Sequence, residues 1–476
     1  MLQHALTLVF DFVILEIMGK AGQALRQVLE THNISQSLLA RELEVEHPIV
    51  FRWFHEHTDP TAETVFEIVQ SLQKINTAAA TDFVQLYLGN AINSTHHTST
   101  QGLPKSDRVN VSLLSQIFDN TTTSYKYLYF LSLLDIIRRR QFDTLSPISF
   151  QEIVVEMLAN AWYPHNYFKL SFGTQDQIAN KLESLALEIT EPILKYRDTD
   201  KKLLRKAIQA QAVDDIVTFI SRYVPFRLIR PFFDRETKGL VDAKVNQVIV
   251  NLSRHQFDVI KPLYHFDFEY VKDCKGIILH QDWVEYFAEN YLVVRGWALW
   301  EWLNYMQLRN PTVPNVVNKI FMPQQRDSLV QQTKYWKIIL EHQDIECIYS
   351  QVKLDKEKLS LDHYLPWSFV AHDQLWNLIP TSPSVNSAKS NNIPSQHYFD
   401  DFVKLQHLGL NVSYQYLSKN QWLKYTEFYV AELRVSQADE LLRLEVLKKA
   451  YESTIIPLIS LATIQGFTPN WIYLLK

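Results

Sequence analysis

Apolar residues follow the three-to-four-residue spacing of amphipathic helices over most of the chain. This spacing predicts four or five short helices between residues 22 and 89, and it returns between residues 108 and 325 with many aromatic side chains. The stretch 91–107, AINSTHHTSTQGLPKSD, replaces apolar positions by Ser, Thr, Asn and His, so we predict a linker there. A further break over residues 343–397 is rich in Ser, Asn and Pro, and helical spacing resumes after it. The pattern predicts a mainly α protein of several domains, α+β overall.

The composition supports a large helical protein. A chain of 476 residues is long enough for about three domains of roughly 100 to 200 residues each. Its 10 glycines, about 2% of the residues against roughly 7% in average usage, predict few tight hairpins and few glycine-built βαβ units. The two cysteines, Cys274 and Cys347, are too few for a disulfide scaffold or a four-thiolate zinc site. We therefore predict a reducing, cytoplasmic location.

The overall charge gives no general attraction to nucleic acid or to an anionic membrane, since 47 basic and 52 acidic residues leave a formal net charge of −5. Any contact with nucleic acid must use local patches, and we predict no membrane association. The first 17 residues, MLQHALTLVFDFVILEI, are apolar but carry Asp11 and Glu16, lack a basic leader and fall short of the roughly 20 apolar residues of a membrane span. We predict that translation starts at Met18. The alternative is an extra helix or strand packed on the fold.

Residues 34–60, ISQSLLARELEVEHPIVFRWFHEHTDP, have the pattern of two helices joined by a tight turn. Ser35 is the predicted cap of the first helix, and Val45 is predicted to lie in the turn. The predicted inward-facing positions are Leu39, Ala40 and Leu43 on the first helix and Val50 and Trp53 on the second. Over about residues 20–75 the chain resembles the DNA-binding domains of phage Cro and repressor proteins. The resemblance implies that Gln36 touches a phosphate and that His47, Phe51 and Arg52 face the major groove.

Two features depart from that family. Glu44 occupies the turn position where the family usually has glycine, a position that often needs a positive φ and strains a residue with a Cβ. Residues 18–90 contain five Lys or Arg against nine Asp or Glu, a net charge of −4, and Glu42 and Glu46 join Glu44 beside the expected DNA face. Both DNA binding and protein contact, either dimerisation or a partner protein, therefore remain open for this module.

The richest chemistry lies in residues 359–396, LSLDHYLPWSFVAHDQLWNLIPTSPSVNSAKSNNIPSQ. We predict a short strand over Leu359 to Leu361 that ends in Asp362-His363, and a second strand over Leu378 to Pro380 entered through Asn377. Pro383 or Ser384 then opens a helix that presents Asn386 and, three residues later, Lys389. Adjacent strand residues point to opposite faces, so Asp362 and His363 must sit where the strand ends and the backbone turns.

These residue types match the needs of phosphodiester hydrolysis. A hard cation such as Mg²⁺ prefers oxygen ligands and keeps several waters, so the carboxylate of Asp362 and the amide of Asn386 are a sufficient protein contribution. His363 titrates near neutral pH and can accept a proton from water. An amide such as Asn377 can orient the imidazole without adding charge.

The segment resembles the HNH nuclease family, whose sites are built on a ββα-metal fold. It is similar to the HNH domain of RNA-guided CRISPR effector nucleases in the DH pair, the x-x-P-x-SF pattern, the asparagines 14 and 23 residues after the histidine, and the Lys-Ser-x-x-x-Pro ending. The likeness extends from about Trp336 to about Phe402. It implies that His363 is the general base and that Asn377 supports it.

The same resemblance implies that Asp362 and Asn386 bind Mg²⁺ or Mn²⁺, and we expect Lys389 to contact DNA. Cys347 stands where many members carry the first half of a zinc knuckle, but Ser350 replaces the second cysteine. No structural zinc is therefore expected.

We predict a cytoplasmic, metal-dependent endonuclease with the amino-terminal module for targeting. DNA is the favoured substrate, and RNA remains open. The alternative is a non-enzymatic DNA-binding regulator or a protein-docking scaffold with an inactive HNH site. The predicted segments are a helix-turn-helix module at 18–90, a linker at 91–107, a helical aromatic-rich region at 108–325, an HNH domain at 326–410 and carboxy-terminal helices at 411–476.

Overall fold

A computed structural model of the chain describes residues 20–55, 58, 60–92, 102–119, 121–143, 146–194, 198, 200–321 and 328–474. The chain divides into two compact units, Met1–Ser99 and Thr100–Lys476. The predicted translation start at Met18 and most of the predicted linker 91–107 lie outside the described residues.

The described part of the first unit contains five helices. They are α1 (Lys20–Thr31), α2 (Gln36–Glu42), α3 (His47–Phe54), α4 (Ala62–Ile75) and α5 (Thr77–Ile92). Helix α2 begins after Ser35, whose side chain accepts a hydrogen bond from the backbone N–H of Leu38 at 3.2 Å, as its role as an N-cap predicts. Leu39, Val50 and Trp53 are buried in the core of this unit.

The second unit begins with a mostly helical region. Its elements are α6 (Val111–Ser115), α7 (Tyr125–Arg139), β1 (Ile148–Ser149), α8 (Phe150–Trp162), a π-helical turn (Tyr163–Tyr167), α9 (Ile178–Glu183), α10 (Glu191–Leu194), α11 (Lys202–Gln209), α12 (Asp214–Ser221), α13 (Val224–Leu228), a 3₁₀ turn (Arg230–Phe233), α14 (Asp234–Thr237), α15 (Asp242–His255), α16 (Phe257–Ile260), β2 (Tyr264–Phe266), β3 (Gly276–Leu279), α17 (Gln281–Arg309) and α18 (Val316–Ile320). The strands form an antiparallel sheet in the order β1-β3-β2. Helix α7 packs between α8 and α17 with most of its surface buried, which explains why its sequence is apolar on nearly every face.

The remainder of the second unit carries the segment with the predicted chemistry. Its elements are α19 (Val330–His342), a 3₁₀ turn (Lys356–Lys358), β4 (Ser360–His363), α20 (Trp367–Val370), a 3₁₀ turn (Leu375–Asn377), β5 (Leu378–Thr381), α21 (Pro383–Lys389), a 3₁₀ turn (Gln396–Tyr398), α22 (Phe399–Tyr416), α23 (Lys419–Glu432), a 3₁₀ turn (Ala438–Leu442) and α24 (Leu444–Ile464). One hydrophobic core is shared by β4, β5 and the helices that precede and follow them.

Close packing fixes the small β4-β5 sheet against these helices. The two strands pair antiparallel, with His363 opposite Leu378. Trp336 of α19 donates from its indole N–H to the carbonyl of Leu378 at 3.2 Å. On the other side of Trp336, a Cβ at Gly409 of α22 would lie 3.0 Å from the indole ring, so glycine allows the two helices to approach. The chain returns at Trp471, whose N–H donates to the carbonyl of Ile393 just after α21.

The predicted fold class is confirmed, since the protein is mainly α with a small ββα segment. Across the part of the chain that is described, the helices are too short or too polar to cross a membrane.

Candidate active site

The predicted ββα segment forms from β4, β5 and α21, with each boundary within about one residue of expectation. Asp362 and His363 are the last two residues of β4. The chain then turns through Tyr364 and Leu365 to Pro366, which precedes α20. Both residues are paired in the ladder, Asp362 with Ile379 and His363 with Leu378. Because adjacent strand residues point to opposite faces, the two side chains leave β4 on different sides.

Asp362 lies in a buried polar cluster and is only 2% exposed. Its Oδ2 accepts a hydrogen bond from the Tyr349 hydroxyl at 2.8 Å, and its Oδ1 accepts one from the Lys389 Nζ at 3.0 Å. The same Nζ donates to the carbonyl of His363 at 2.6 Å. Burial lowers the pKa of Lys389 from its ordinary value, and the Asp362 carboxylate opposes that shift.

This cluster corrects one expectation about Lys389. The expected DNA contact required an accessible ammonium group, but the Lys389 side chain is fully buried by its packing between α21 and β4. Lys389 instead neutralises Asp362 and fixes the backbone of His363, because a buried carboxylate needs a charged or hydrogen-bonding partner.

His363 faces a part-exposed edge of the fold, with 11% of its side chain accessible. Its Nε2 lies 2.8 Å from Oδ1 of Asp373, which is in the loop between β4 and β5. A carboxylate only accepts, so the neutral imidazole that suits this contact carries its hydrogen on Nε2 and its lone pair on Nδ1. In that tautomer Nδ1 is the ring atom that can take a proton from water.

Asn377 is buried behind the histidine and holds the turn that follows β4. Its Oδ1 accepts from the N–H of Leu365 at 2.8 Å, and its Nδ2 donates to the Leu365 carbonyl at 2.9 Å. Its own carbonyl accepts from the N–H of Tyr364 at 2.8 Å. The side-chain amide thus binds the backbone two residues after His363, whereas the contact with the ring is made by Asp373.

Asn386 projects from α21 toward the same strand. Its Nδ2 donates to the Ser360 hydroxyl at 2.8 Å and to the Leu361 carbonyl at 3.0 Å, one residue before Asp362. These bonds use the amide nitrogen, so the carbonyl oxygen of Asn386 takes no part in them. The side chain is part-exposed.

The oxygen atoms of Asp362 and Asn386 suit a hard divalent cation. Each Asp362 oxygen accepts one bond from a side chain, and a carboxylate accommodates about four hydrogen bonds or ligands in all, so capacity for an ion remains. Among the described residues no group of three or more His, Cys, Asp or Glu is arranged to hold a metal. An ion here would be bound by one carboxylate, one amide and water.

Two residues of this site were not predicted from the sequence. Asp373 lies ten residues after His363, in the loop between β4 and β5. An acidic residue in a loop that follows a candidate catalytic histidine could have been predicted to contact the imidazole. Tyr349 belongs to the stretch from Cys347 to Ser350 that resembles half of a zinc knuckle. That stretch delivers the Tyr349 hydroxyl to Asp362, while the Cys347 sulfur lies 3.1 Å from the Thr381 hydroxyl.

The other residues predicted to contact DNA lie in the first unit. Gln36 is half-buried at the start of α2. His47, Phe51 and Arg52 are exposed on α3, with Phe51 42% accessible. Glu44 has a φ of +56°, which confirms the strained turn conformation predicted for it. Contact of these side chains with DNA remains a prediction.

Comparison with protein families matches residues 347–395, about a tenth of the chain, to the HNH endonuclease family. The matched residues include β4, β5 and α21, and the match supports nuclease activity on nucleic acid. HNH nucleases generally use divalent metal ions. The predicted Cro-like module lies outside the match. No curated protein and no solved structure matches the chain.

Proposed function

We propose that the protein is a divalent-metal-dependent endonuclease that hydrolyses phosphodiester bonds in DNA. The observation that carries the proposal is the end of β4, where a histidine bound to a carboxylate follows a buried aspartate and a part-exposed asparagine lies beside the same strand. The family match at residues 347–395 supports the same chemistry.

In the proposed mechanism His363 is the general base. Asp373 accepts the Nε2 hydrogen, which orients the ring and stabilises the imidazolium that forms when Nδ1 takes a proton from the attacking water. Asp362 and Asn386 would hold Mg²⁺ or Mn²⁺. When bound, such an ion polarises a phosphoryl oxygen and stabilises the negative charge that develops on the leaving oxygen.

Within this mechanism the surrounding residues maintain the geometry. Lys389 and Tyr349 hold the Asp362 carboxylate in place, and Asn377 fixes the turn after His363. The side chains of His363, Asp373 and Asn386 are each partly exposed, so the phosphate of a polynucleotide can reach them.

Removal of divalent metal is expected to abolish cleavage. Supercoiled plasmid incubated with the full chain in Mg²⁺ or Mn²⁺ should be converted to the nicked form, and excess EDTA should reduce the rate to that of plasmid alone. Without a cation, His363 could still accept a proton from water. The negative charge of the phosphate would then repel the attacking oxygen, because nothing would neutralise it. Equal conversion with and without EDTA would contradict metal dependence, and no conversion of DNA in any metal would contradict the activity. Single-stranded DNA and RNA of matched length test which polynucleotides are cleaved.

We further propose that the first unit directs the nuclease to its targets through α2 and α3. Deleting residues 1–99 should leave the rate on non-specific plasmid within about twofold, because the two units have separate hydrophobic cores. Preference among DNA sequences, measured by sequencing the cut ends, should be lost. Arg52→Ala in the full chain is the matched point variant, since it removes an exposed cation predicted to face the groove. Unchanged sequence preference in both variants would contradict targeting by this unit.

A further inference from the structure

The loop that carries Asp373 is held by side chains from the helical region of the same unit. Asn315, directly before α18, donates from Nδ2 to the carbonyl of Val370 at 2.7 Å. Within α18, Asn318 donates to the carbonyl of Ala371 at 3.3 Å, and the Nζ of Lys319 donates to the carbonyl of Phe369 at 2.5 Å. Three consecutive carbonyls of the nuclease segment thus receive donors from one short stretch of the helical region.

These carbonyls lie at the carboxy-terminal end of α20, where few backbone N–H groups are available to donate hydrogen bonds to them. The last carbonyls of any helix lack intrahelical partners, and α20 has only four residues. The chain leaves α20 through Ala371, whose φ of +54° is in the left-handed region. That conformation is unfavourable for a residue with a Cβ, so surrounding contacts must maintain it.

Lys319 is an unusual donor for this purpose because it is fully buried. Burial lowers its pKa to about 7. Its Nζ also lies 5.5 Å from the centre of the Phe369 ring. A buried amine costs desolvation energy, and the hydrogen bond that Lys319 donates to the Phe369 carbonyl offsets part of that cost.

Helix α20 also joins the two hydrophobic cores of the unit. Trp367 packs in the core of the helical region, with ring centroids 6.3 Å from Tyr167 and 5.9 Å from Phe168. Phe369 and Val370 belong to the other core, together with β4 and β5. The position of α20 is therefore set jointly by both regions.

We infer that Asn315, Asn318 and Lys319 are positioning residues for the nuclease site, which fix Asp373 against His363 by holding the end of α20. Ala371 precedes Asp373 by two residues, and Asp373 reaches His363 Nε2 at 2.8 Å. A shift of the α20 end would therefore move the carboxylate that orients the ring. This inference rests on the proposed function for its catalytic consequence.

The test compares donor-removing variants of the full chain with matched controls. Lys319→Met and Asn315→Asp remove a loop contact while nearly keeping side-chain volume. Lys126→Met and Asn290→Asp remove donors to backbone carbonyls elsewhere in the helical region, because Lys126 donates to the Asp119 carbonyl at 3.3 Å and Asn290 to the Tyr286 carbonyl at 3.0 Å. Each protein is assayed for kcat and KM on plasmid DNA with Mn²⁺, and for amide hydrogen exchange in peptides covering residues 367–377.

Both loop variants should exchange faster in this peptide and show kcat lowered by ~10- to 100-fold, with KM within about twofold, because a displacement near 1 Å at a reacting group costs about 100-fold in rate. The controls should retain kcat and the exchange pattern. Asn318→Asp removes the longest of the three hydrogen bonds, so it should change exchange and kcat in the same direction but by less. If Lys319→Met does not fold, Asn315→Asp and Asn318→Asp still test the inference.

Wild-type kcat in Asn315→Asp and Asn318→Asp would overturn the inference, whatever the exchange data show, and leave the proposed function intact. If the wild-type protein cleaves nothing, the proposed function fails instead. In that case hydrogen exchange still tests whether the three donors hold the end of α20. Unchanged exchange in the loop variants would show that they do not.

Discussion

Replacing His363 by alanine is expected to lower the rate of plasmid nicking in Mg²⁺ or Mn²⁺ by ~10³-fold, within the range of 10² to 10⁴ that a positioned general base contributes. The variant loses the Nδ1 lone pair that takes the proton from water and leaves the Asp373 carboxylate without the ring it orients. Single-turnover rates under saturating enzyme report the chemical step directly. Binding of the same DNA, measured in Ca²⁺ by fluorescence anisotropy, should stay within about threefold, because the imidazole acts on water rather than on the nucleic acid.

The matched control for that variant is His165→Ala. His165 Nε2 lies 3.0 Å from the Glu183 carboxylate, and 18% of the histidine side chain is exposed against 11% for His363, so the two histidines are similar in contact and burial, although Glu183 is more exposed than Asp373. His165 lies in the π-helical turn Tyr163–Tyr167 of the helical region. The control should retain nicking within about twofold. Comparable losses in both variants would mean that the effect of His363→Ala arises from instability, and full activity in His363→Ala would remove the histidine from the mechanism.

The parts of the site that could be predicted from sequence are those fixed by local chemistry. Proline opens α21, the Asp-His pair ends β4, and Asn377 closes the turn that leads into β5. Each of these signals lies within a few residues of the element it defines. The positive φ at Glu44 was predictable for the same reason, because a tight turn between two helices restricts its own backbone.

The other parts depend on tertiary contacts that no local pattern specifies. Lys389 lies on a helix of mixed polarity, where solvent exposure is the ordinary expectation for lysine, but α21 packs this face on Asp362. Tyr349 reaches Asp362 from 13 residues earlier in the chain. Lys319 contacts Phe369 across 50 residues and from a different hydrophobic core. Sequence spacing therefore predicted the candidate reacting groups but could not predict the residues that contact them from distant parts of the chain.

Breaking the buried pair of Asp362 and Lys389 is expected to have the largest effect on stability. Lys389→Met should lower the free energy of unfolding by ~3 to 5 kcal/mol, because it leaves the buried carboxylate with the Tyr349 hydroxyl in place of a charged partner. Urea denaturation of the full chain, followed by tryptophan fluorescence, measures the change. The control is Lys404→Met at an exposed pair 3.5 Å from Asp401, which should change stability by less than ~1 kcal/mol.

Adding Asp362→Asn to Lys389→Met should recover most of the lost stability and none of the activity. An amide has nearly the shape of the carboxylate and still accepts a hydrogen bond from Tyr349, but it carries no charge that requires Lys389. The same change removes the anionic oxygen proposed to bind the metal, so nicking in saturating Mn²⁺ should remain at least ~10²-fold below wild type. A stable but inactive double variant would show that the Asp362 carboxylate is needed for activity for a reason other than stability. A double variant that is stable and cleaves DNA at the wild-type rate would show instead that Asp362 serves the fold alone, and the metal would have to be bound by other oxygens.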